Sequence, residues 1–333
     1  MKHEILNSSL DFENTNSDSK IILQYTFLLS ITEVGLGALI HGLHIPLGGH
    51  FLSLNEGYLL CKALRERAQI KMLSRKEAFK QSCSISIVGA LLKSFSPAGK
   101  KLTPMLAISV QGLLFSIGVY FFGVSLLGLI LGMLLLSLWA FIQPLLFAWL
   151  IFGKTFFEGL LSIWTHFSES VGINSMSGFY LLGIFVALKL ISAILVAILV
   201  WRGQLTKLDG MSERISRLGE LVLLKKEASV KKEQSPFYGA LKDILSPLFI
   251  MGLLFSVFLA IYSQSTLVPM IWMALRPVAF GFLMFYFLRA FNTEKLRNSV
   301  LMKFPKFGFI LNGVLSKISL IQKIDRGPEA TER

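Results

Sequence analysis

An all-α, polytopic integral membrane protein is the fold class that the sequence predicts, and three observations predict it. The 333 residues are 53% hydrophobic and only 16% charged, and the mean hydropathy is +0.64. Soluble domains carry roughly a quarter charged residues, so this composition favours lipid as the solvent. The second observation is a series of long apolar stretches, and the third is the placement of Lys and Arg between them.

A helix needs about 20 apolar residues to cross the hydrocarbon core, because each backbone amide must find its partner inside the helix. Eight stretches are candidates for about eight spans: 21–43, 50–64, 83–97, 103–122, 124–152, 178–201, 246–264 and 268–288. The second and third are short, so a tilted, a re-entrant and a bundle-buried helix are all open. Pro144 predicts a kink or an end in the fifth stretch.

Basic residues concentrate in three polar segments, which predicts that these segments are cytoplasmic. Segments 65–82, 202–245 and 289–333 hold six, nine and nine of the 33 Lys and Arg residues. The predicted outer connections at 41–49, 98–102, 153–177 and 265–267 hold only Lys100, Lys101 and Lys154. This topology places both termini inside a cell's inner (plasma) membrane, and it explains the net charge of +13 without nucleic acid.

The same segments divide the chain into five predicted parts. These are a polar N-terminal segment (1–20), a six-helix membrane bundle (21–201), a basic cytoplasmic linker (202–245), a transmembrane hairpin (246–288) and a basic tail (289–333). Residues 1–20 lack the basic start and small-residue cleavage site of a signal peptide, so we expect no cleavage. Apolar residues from Phe307 to Ile321 share one helical face in the tail, which suits either the membrane surface or a partner groove.

Ionisable residues inside predicted spans are costly, so each is a candidate for a function. Glu33 lies near the middle of the first span and Lys189 near the middle of the sixth. Two interpretations are open: a structural ion pair between them, or joint binding of a zwitterionic solute. Arg276, followed by Pro277, indicates a helix break, a subunit contact or a late start of the last span.

The stretch from His41 to Leu60 is the most distinctive in the chain. His41, His44 and His50 are spaced like metal ligands, but no Cys or carboxylate completes a known pattern, so plain polar groups are favoured and we predict no metal. Pro46 and two glycines predict a tight loop of the kind that caps a ligand. Asn55 and Glu56 enter an apolar helix, so we expect them to face a cavity rather than lipid.

Further polar residues flank or enter the spans. Lys93, Lys100 and Lys101 surround an outer loop, where they either attract an anionic ligand or extend to the interface. Gln111 lies within a span and is suited to bonding a solute or a neighbouring helix. The sequence has no GxxxxGK[ST], HExxH or GxSxG motif, so it predicts neither ATP binding, nor an enzyme, nor a cofactor.

Residues 21–201 resemble the substrate-binding S component of energy-coupling factor (ECF) vitamin transporters. The segment LGALIHGLHIPLGGHFLSLNEGYLLCKAL carries most of the likeness. The resemblance implies six helices, a vitamin-like solute bound from the outer side, and separate ABC-type ATPase subunits as partners. The first helix–loop–helix would form part of the lid.

The C-terminal part is weakly similar to the transmembrane T component of the same systems. The run MALRPVAFGFLMFYFLRAFNTEKLRNSVLMKFPKFGFILNGVLSKI is like a last span that feeds cytoplasmic coupling helices. The Ala-Arg-Gly motif by which that family docks its ATPase is absent, so the similarity leaves Arg276, Arg289 and Arg297 as the docking candidates.

Three functions follow as hypotheses. The first is uptake of a small solute, bound by Glu33, His44, Asn55, Glu56, Gln111 and Lys189. The second is a membrane scaffold of the cell-envelope or cell-shape machinery, for which the basic amphipathic tail is suited. The third is a membrane enzyme acting on lipid, with the three histidines as its only support.

Overall fold

The computed structural model describes residues 17–33, 37, 48–93, 102–204, 235–262 and 267–290, with 299, 302, 308, 310, 311 and 313 as single positions. All regular structure within these ranges is helical. The helices are α1 (Ser17–Ile31), α2 (Gly48–Ile70), α3 (Arg75–Lys93), α4 (Leu102–Phe122), α5 (Leu126–Phe152), α6 (Lys154–Val171), α7 (Ser177–Arg202), α8 (Pro236–Ile244), α9 (Pro247–Tyr262) and α10 (Leu267–Ala290).

Four of the described helices are long and apolar enough to cross a membrane: α4, α5, α7 and the Met270–Ala290 part of α10. A fifth span is possible if α8 and α9, which meet at a 54° bend, act as one. The predicted count of eight is therefore not confirmed. The all-α class and several membrane-length apolar helices are confirmed.

Helices α2 and α3 depart most from the prediction. They run to Ile70 and from Arg75, so most of the predicted inner segment 65–82 is helical, with a short break at residues 71–74. Helix α2 buries Ser, Glu and Arg side chains, and α3 buries Gln, Ser and Lys side chains. Of the three options for these short stretches, the buried helix matches this arrangement.

Two further predictions are corrected at helix ends. The predicted outer connection 153–177 contains α6, whose C-terminal cap is Gly172 at φ 71°. Its polar residues lie on one side, which lowers its hydropathy below that of a span. Helix α5 continues through Pro144 to Phe152, and α10 continues through Pro277, so neither proline ends its helix.

The chain divides into two compact units, and their boundaries differ from the predicted domain ranges. Unit 1 comprises Met1–Ala140, Ser192–Lys231 and Thr293–Arg333. Unit 2 comprises Phe141–Ile191 and Lys232–Asn292. Of the predicted parts, 1–16 and 205–234 lie outside the described residues, as does most of the tail.

Unit 1 is a bundle in which α3 packs against α4, while α1 and α2 pack against α3. Its core is aliphatic with a few aromatic rings, and it includes Leu29, Leu59, Leu60, Ile85, Phe115, Met133 and Leu136. Arg65 donates to the Val200 carbonyl at the C-terminal end of α7, which satisfies a helix-end acceptor.

The predicted tail also contributes to this unit. Leu311 is 2% exposed and packs with Leu23 of α1 and with Val88 and Leu92 of α3. Ile310 lies beside it. These two residues of the predicted amphipathic face therefore contact the protein core, and the rest of that face lies outside the described residues.

Unit 2 has a largely aromatic interior. Phe152 stacks on Phe156 at 4.6 Å between ring centroids, and it lies 6.1 Å from Phe249. Phe249 in turn meets Phe285 edge-on. An ion pair between Asp243 and Arg289 then fixes α8 to α10.

Candidate functional site

A buried ion pair joins α1 to α3 inside unit 1. The Nζ atom of Lys93 lies 3.9 Å from Oε2 of Glu33, and the two side chains are 3% and 5% exposed. Lys93 also donates to the backbone carbonyl of Glu33. A β-carbon at Gly37 would stand 2.8 Å from that Nζ atom, so glycine permits the close approach of the chain. The pair is thus enclosed by protein on several sides.

This geometry corrects the prediction for Lys93. We expected it to attract anions at an outer loop or to extend to the interface, but it points into the bundle and is buried. Glu33 thereby has Lys93 as an ion-pair partner, which the sequence did not suggest. Lys189 is also buried and belongs to unit 2, so its pairing with Glu33 stays a prediction.

A second buried carboxylate, Glu56 of α2, lies in the same unit. It is 0% exposed. Within the described residues neither of its oxygens has a hydrogen-bond partner, and the nearby Ser86 hydroxyl of α3 also has none. Both surround Gly112 of α4, where a β-carbon would overlap Ser86 and stand 3.4 Å from Oε1 of Glu56. A carboxylate in such a position is costly unless something neutralises or binds it.

Neighbouring polar contacts tie the helices around these groups. Asn55 Nδ2 donates to Thr32 Oγ1 at 3.1 Å, which links α2 to α1 next to Glu33. Ser82 and Ser116 share a hydrogen bond of 2.7 Å between α3 and α4. Gln111 is 7% exposed and immediately precedes Gly112. The site therefore has supports from α1, α2, α3 and α4.

Sequence reasoning missed Lys93 and Ser86 as members of this cluster, although a signal for them exists. Ser82, Ser86, Gly89 and Lys93 follow one another at spacings of four, three and four residues. Such spacing places them on one face of a helix. All four are buried in α3.

The remaining predicted site residues lie elsewhere. His44 and Arg297 are outside the described residues, as is His41. His50 is at the start of α2, and no group of three His, Cys, Asp or Glu suited to a metal occurs in the described ranges. Arg289 binds Asp243 through two nitrogens, at 2.9 and 3.0 Å. This contact occupies its guanidinium within unit 2, so the docking role remains a prediction.

Arg276 lies inside α10 and not at a helix break. Its guanidinium packs over the Phe280 ring, 5.5 Å from the centroid. It also lies against Gly153, the residue at φ 81° between α5 and α6. A β-carbon at Gly153 would stand 2.7 Å from the central guanidinium carbon. The arginine therefore fills the corner between two helices of unit 2.

An apolar groove runs along the N-terminal half of α7. It encloses about 450 Å³ and is lined by Gly178, Leu181, Leu182, Ile184, Phe185 and Leu188. None of these six lining residues has a polar side chain, so a lipid chain suits the groove better than a polar solute. The polar cluster of unit 1 remains the candidate site.

Comparison of the chain with family models, curated proteins and solved structures finds no match.

Proposed function

We propose that this chain is the substrate-binding membrane component of an ECF-type uptake transporter for a vitamin-like small molecule. One observation carries the proposal: two carboxylates and one ammonium group, Glu33, Glu56 and Lys93, are buried together in unit 1. Charged groups inside a membrane bundle are expensive, and in membrane proteins they commonly mark solute and ion pathways.

The ion pair suits recognition of a polar or zwitterionic solute. A solute carboxylate would take the place of Glu33 at the Lys93 ammonium, while a solute donor would bond the released Glu33 oxygens. Asn55 and Gln111 would add uncharged contacts of the kind that fix a ligand's orientation. Both charges of the pair remain matched throughout such an exchange, so binding leaves no charge buried alone.

Energy for release into the cell would come from other chains. The sequence contains no phosphate-binding loop of the GxxxxGK[ST] type. Separate ABC-type ATPase subunits are the proposed source, docked through Arg276, Arg289 or Arg297. The proposed location is the cell's inner (plasma) membrane, crossed several times.

The experiment is purification of tagged protein from native membranes, followed by mass spectrometry of both proteins and small molecules. The test variant is Glu33→Gln with Lys93→Met, which removes both buried charges together. The matched control is Lys154→Met, because Lys154 is 81% exposed and pairs only with Glu158 in the described contacts. We expect ATPase subunits with all three proteins, and one enriched metabolite with wild type and control but not with the double variant.

Recovery of cell-envelope proteins, or of lipid alone, would favour the scaffold hypothesis. The buried charges would then serve packing. Recovery of ATPase subunits with no metabolite would support the transporter assembly but contradict the proposed solute-binding site.

A further inference from the structure

Glu56 is a buried carboxylate whose negative charge the proposed solute site does not compensate. Its side chain is completely buried, and the Ser86 hydroxyl that lies close to it makes no well-formed hydrogen bond with either carboxylate oxygen. Buried carboxylates are tolerated when paired, hydrogen-bonded or neutral. The described part of the chain provides Glu56 with neither an ion pair nor a well-formed hydrogen bond, which leaves neutralisation.

The groups that face Glu56 cannot supply the missing positive charge. Glu33, two residues beyond the end of α1, brings a second carboxyl group to this region and no positive charge. Helix α3 contributes the Ser86 hydroxyl and the Lys93 ammonium, but Lys93 already contacts Glu33. Two carboxylates and one ammonium would leave a net charge of about −1 inside the bundle.

The two remaining helices packed around Glu56 add no charge. From α4, Gly112 lies against it and is preceded by the uncharged Gln111. From α5, Met133 and Leu136 face Gly57, the next residue of α2. His50 lies on α2 itself, close to two turns before Glu56. Apart from Lys93, which is paired with Glu33, and the titratable His50, the described groups named here carry no positive charge.

The close packing of the helices around Glu56 limits the size of any ligand that could neutralise this carboxylate. A β-carbon at Gly112 would overlap Ser86, and one at Gly57 would overlap the Met133 sulfur, so the helices meet closely on both sides. A metal ion needs several oxygen ligands at once, and the described ranges contain no cluster of three ligating side chains. A proton needs one carboxylate oxygen and no additional space.

We propose that Glu56 is a proton-binding site of the membrane bundle. In the closed packing of α2, α3 and α4 an O–H bond on the carboxyl group holds one proton taken from solvent, and no other bond changes. When these helices separate and water enters, the proton leaves to solvent. This site does not depend on solute uptake, but in a transporter it links solute-driven movement of these helices to proton exchange.

The test uses infrared difference spectroscopy on the full-length protein in lipid nanodiscs without added solute. We expect the carbonyl stretching band of a protonated carboxyl at neutral pH, shifted in heavy water and absent from Glu56→Gln. The matched control is Glu66→Gln, because Glu66 lies on the same helix but is 38% exposed. That control should keep the band.

A second readout is the pH dependence of the unfolding temperature. Wild type should lose stability as pH rises, because the folded state holds a proton that the unfolded chain releases. Glu56→Gln carries a neutral amide of the same shape, so it should fold and lose this dependence, whereas Glu66→Gln should keep it.

Absence of a protonated-carboxyl band from wild type at neutral pH would overturn the proposal. Stabilisation of wild type by sodium over choline, lost in Glu56→Gln, would overturn it in favour of a metal cation. If Glu56→Gln fails to fold, Glu33→Gln decides between the two buried carboxyls. Persistence of the band in that variant supports Glu56, and its loss assigns the proton to Glu33. None of these results bears on whether a solute is transported.

Discussion

Lys93 and Glu33 are 60 residues apart in sequence, yet their side chains meet at 3.9 Å inside the first unit. Lys93 also donates to the Glu33 backbone carbonyl, so its ammonium binds both the side chain and the main chain of one residue. The contact holds the end of α3 against the end of α1. It thereby anchors the end of α1, the helix that precedes the loop that we expect to close over a ligand.

The first prediction concerns this pair. Lys93→Met alone leaves Glu33 as a buried charge without its cation, which should cost about 3–5 kcal/mol in the free energy of unfolding. The double variant Glu33→Gln with Lys93→Met removes both charges and should cost markedly less. Denaturant unfolding in detergent micelles measures both. Equal losses for the single and double variants would show that the two groups are not coupled.

The second prediction concerns the crossing of α4 and α5. A β-carbon at Gly118 would stand 2.6 Å from Cα of Gly132, which is backbone and cannot move aside. Gly118→Ala should therefore force the helices apart and destabilise the fold by about 1–3 kcal/mol. The matched control is Gly183→Ala in α7, where nothing lies within 4 Å of the new carbon.

That control should be neutral or stabilising by about 0.5–1 kcal/mol, because alanine favours helix over glycine. Thermal unfolding of the two variants side by side is the measurement. A Gly118→Ala protein as stable as Gly183→Ala would contradict the close crossing.

The third prediction concerns the second unit, where two nitrogens of Arg289 bind the two carboxylate oxygens of Asp243. Lysine keeps the charge but cannot form the same two-pronged contact. Arg289→Lys should therefore lose on the order of 1 kcal/mol, with faster hydrogen exchange in α8. If α8 exchanges no faster in Arg289→Lys than in wild type, the contact does not hold that helix in place.

The fourth prediction concerns the start of α3, where Ser74 and Glu77 form a reciprocal cap. The Ser74 amide donates to Glu77 Oε2 at 2.9 Å, and the Glu77 amide donates to Ser74 Oγ at 3.3 Å. Ser74→Ala should cost about 1 kcal/mol at neutral pH. The hydrogen bonds from Ser74 lower the pKa of Glu77 below its usual value.

The sign of the pH effect follows from that lowered pKa. A carboxyl whose pKa is lower in the folded state stabilises the fold above its unfolded pKa, and this contribution disappears as pH falls through the folded value. The stability gap between wild type and Ser74→Ala should therefore narrow between about pH 7 and about pH 3. A gap that stays constant over this range would show that the Glu77 carboxylate takes no part in the cap.

The apolar spans were predictable because lipid sets their length. Stretches 103–122, 124–152 and 178–201 correspond within two residues to Leu102–Phe122, Leu126–Phe152 and Ser177–Arg202. Helices α2 and α3 were predicted only over their apolar parts, 50–64 and 83–97, because hydropathy does not detect the polar turns by which they extend to Ile70 and begin at Arg75. For the same reason the sequence predicted a connection where α6, which is polar on one side, forms a helix.

The candidate site was partly predictable. Glu33 and Glu56 stood out because a carboxylate within an apolar run needs an explanation. Lys93 was misplaced because it precedes a Ser-, Pro- and Lys-containing loop, and a contact across 60 residues leaves no local pattern. The division into two units could not be predicted from the sequence either, because its boundaries fall inside α5 and α7 and not in polar connections.

The most direct test of the proposed function is equilibrium dialysis of the purified protein against a pool of small metabolites, with mass spectrometry of what is retained. Wild type and the Lys154→Met control should both enrich one polar solute, and Glu33→Gln with Lys93→Met should not. If wild type retains nothing beyond what the double variant retains, the buried charges of the first unit do not form a solute site, and the uptake proposal fails.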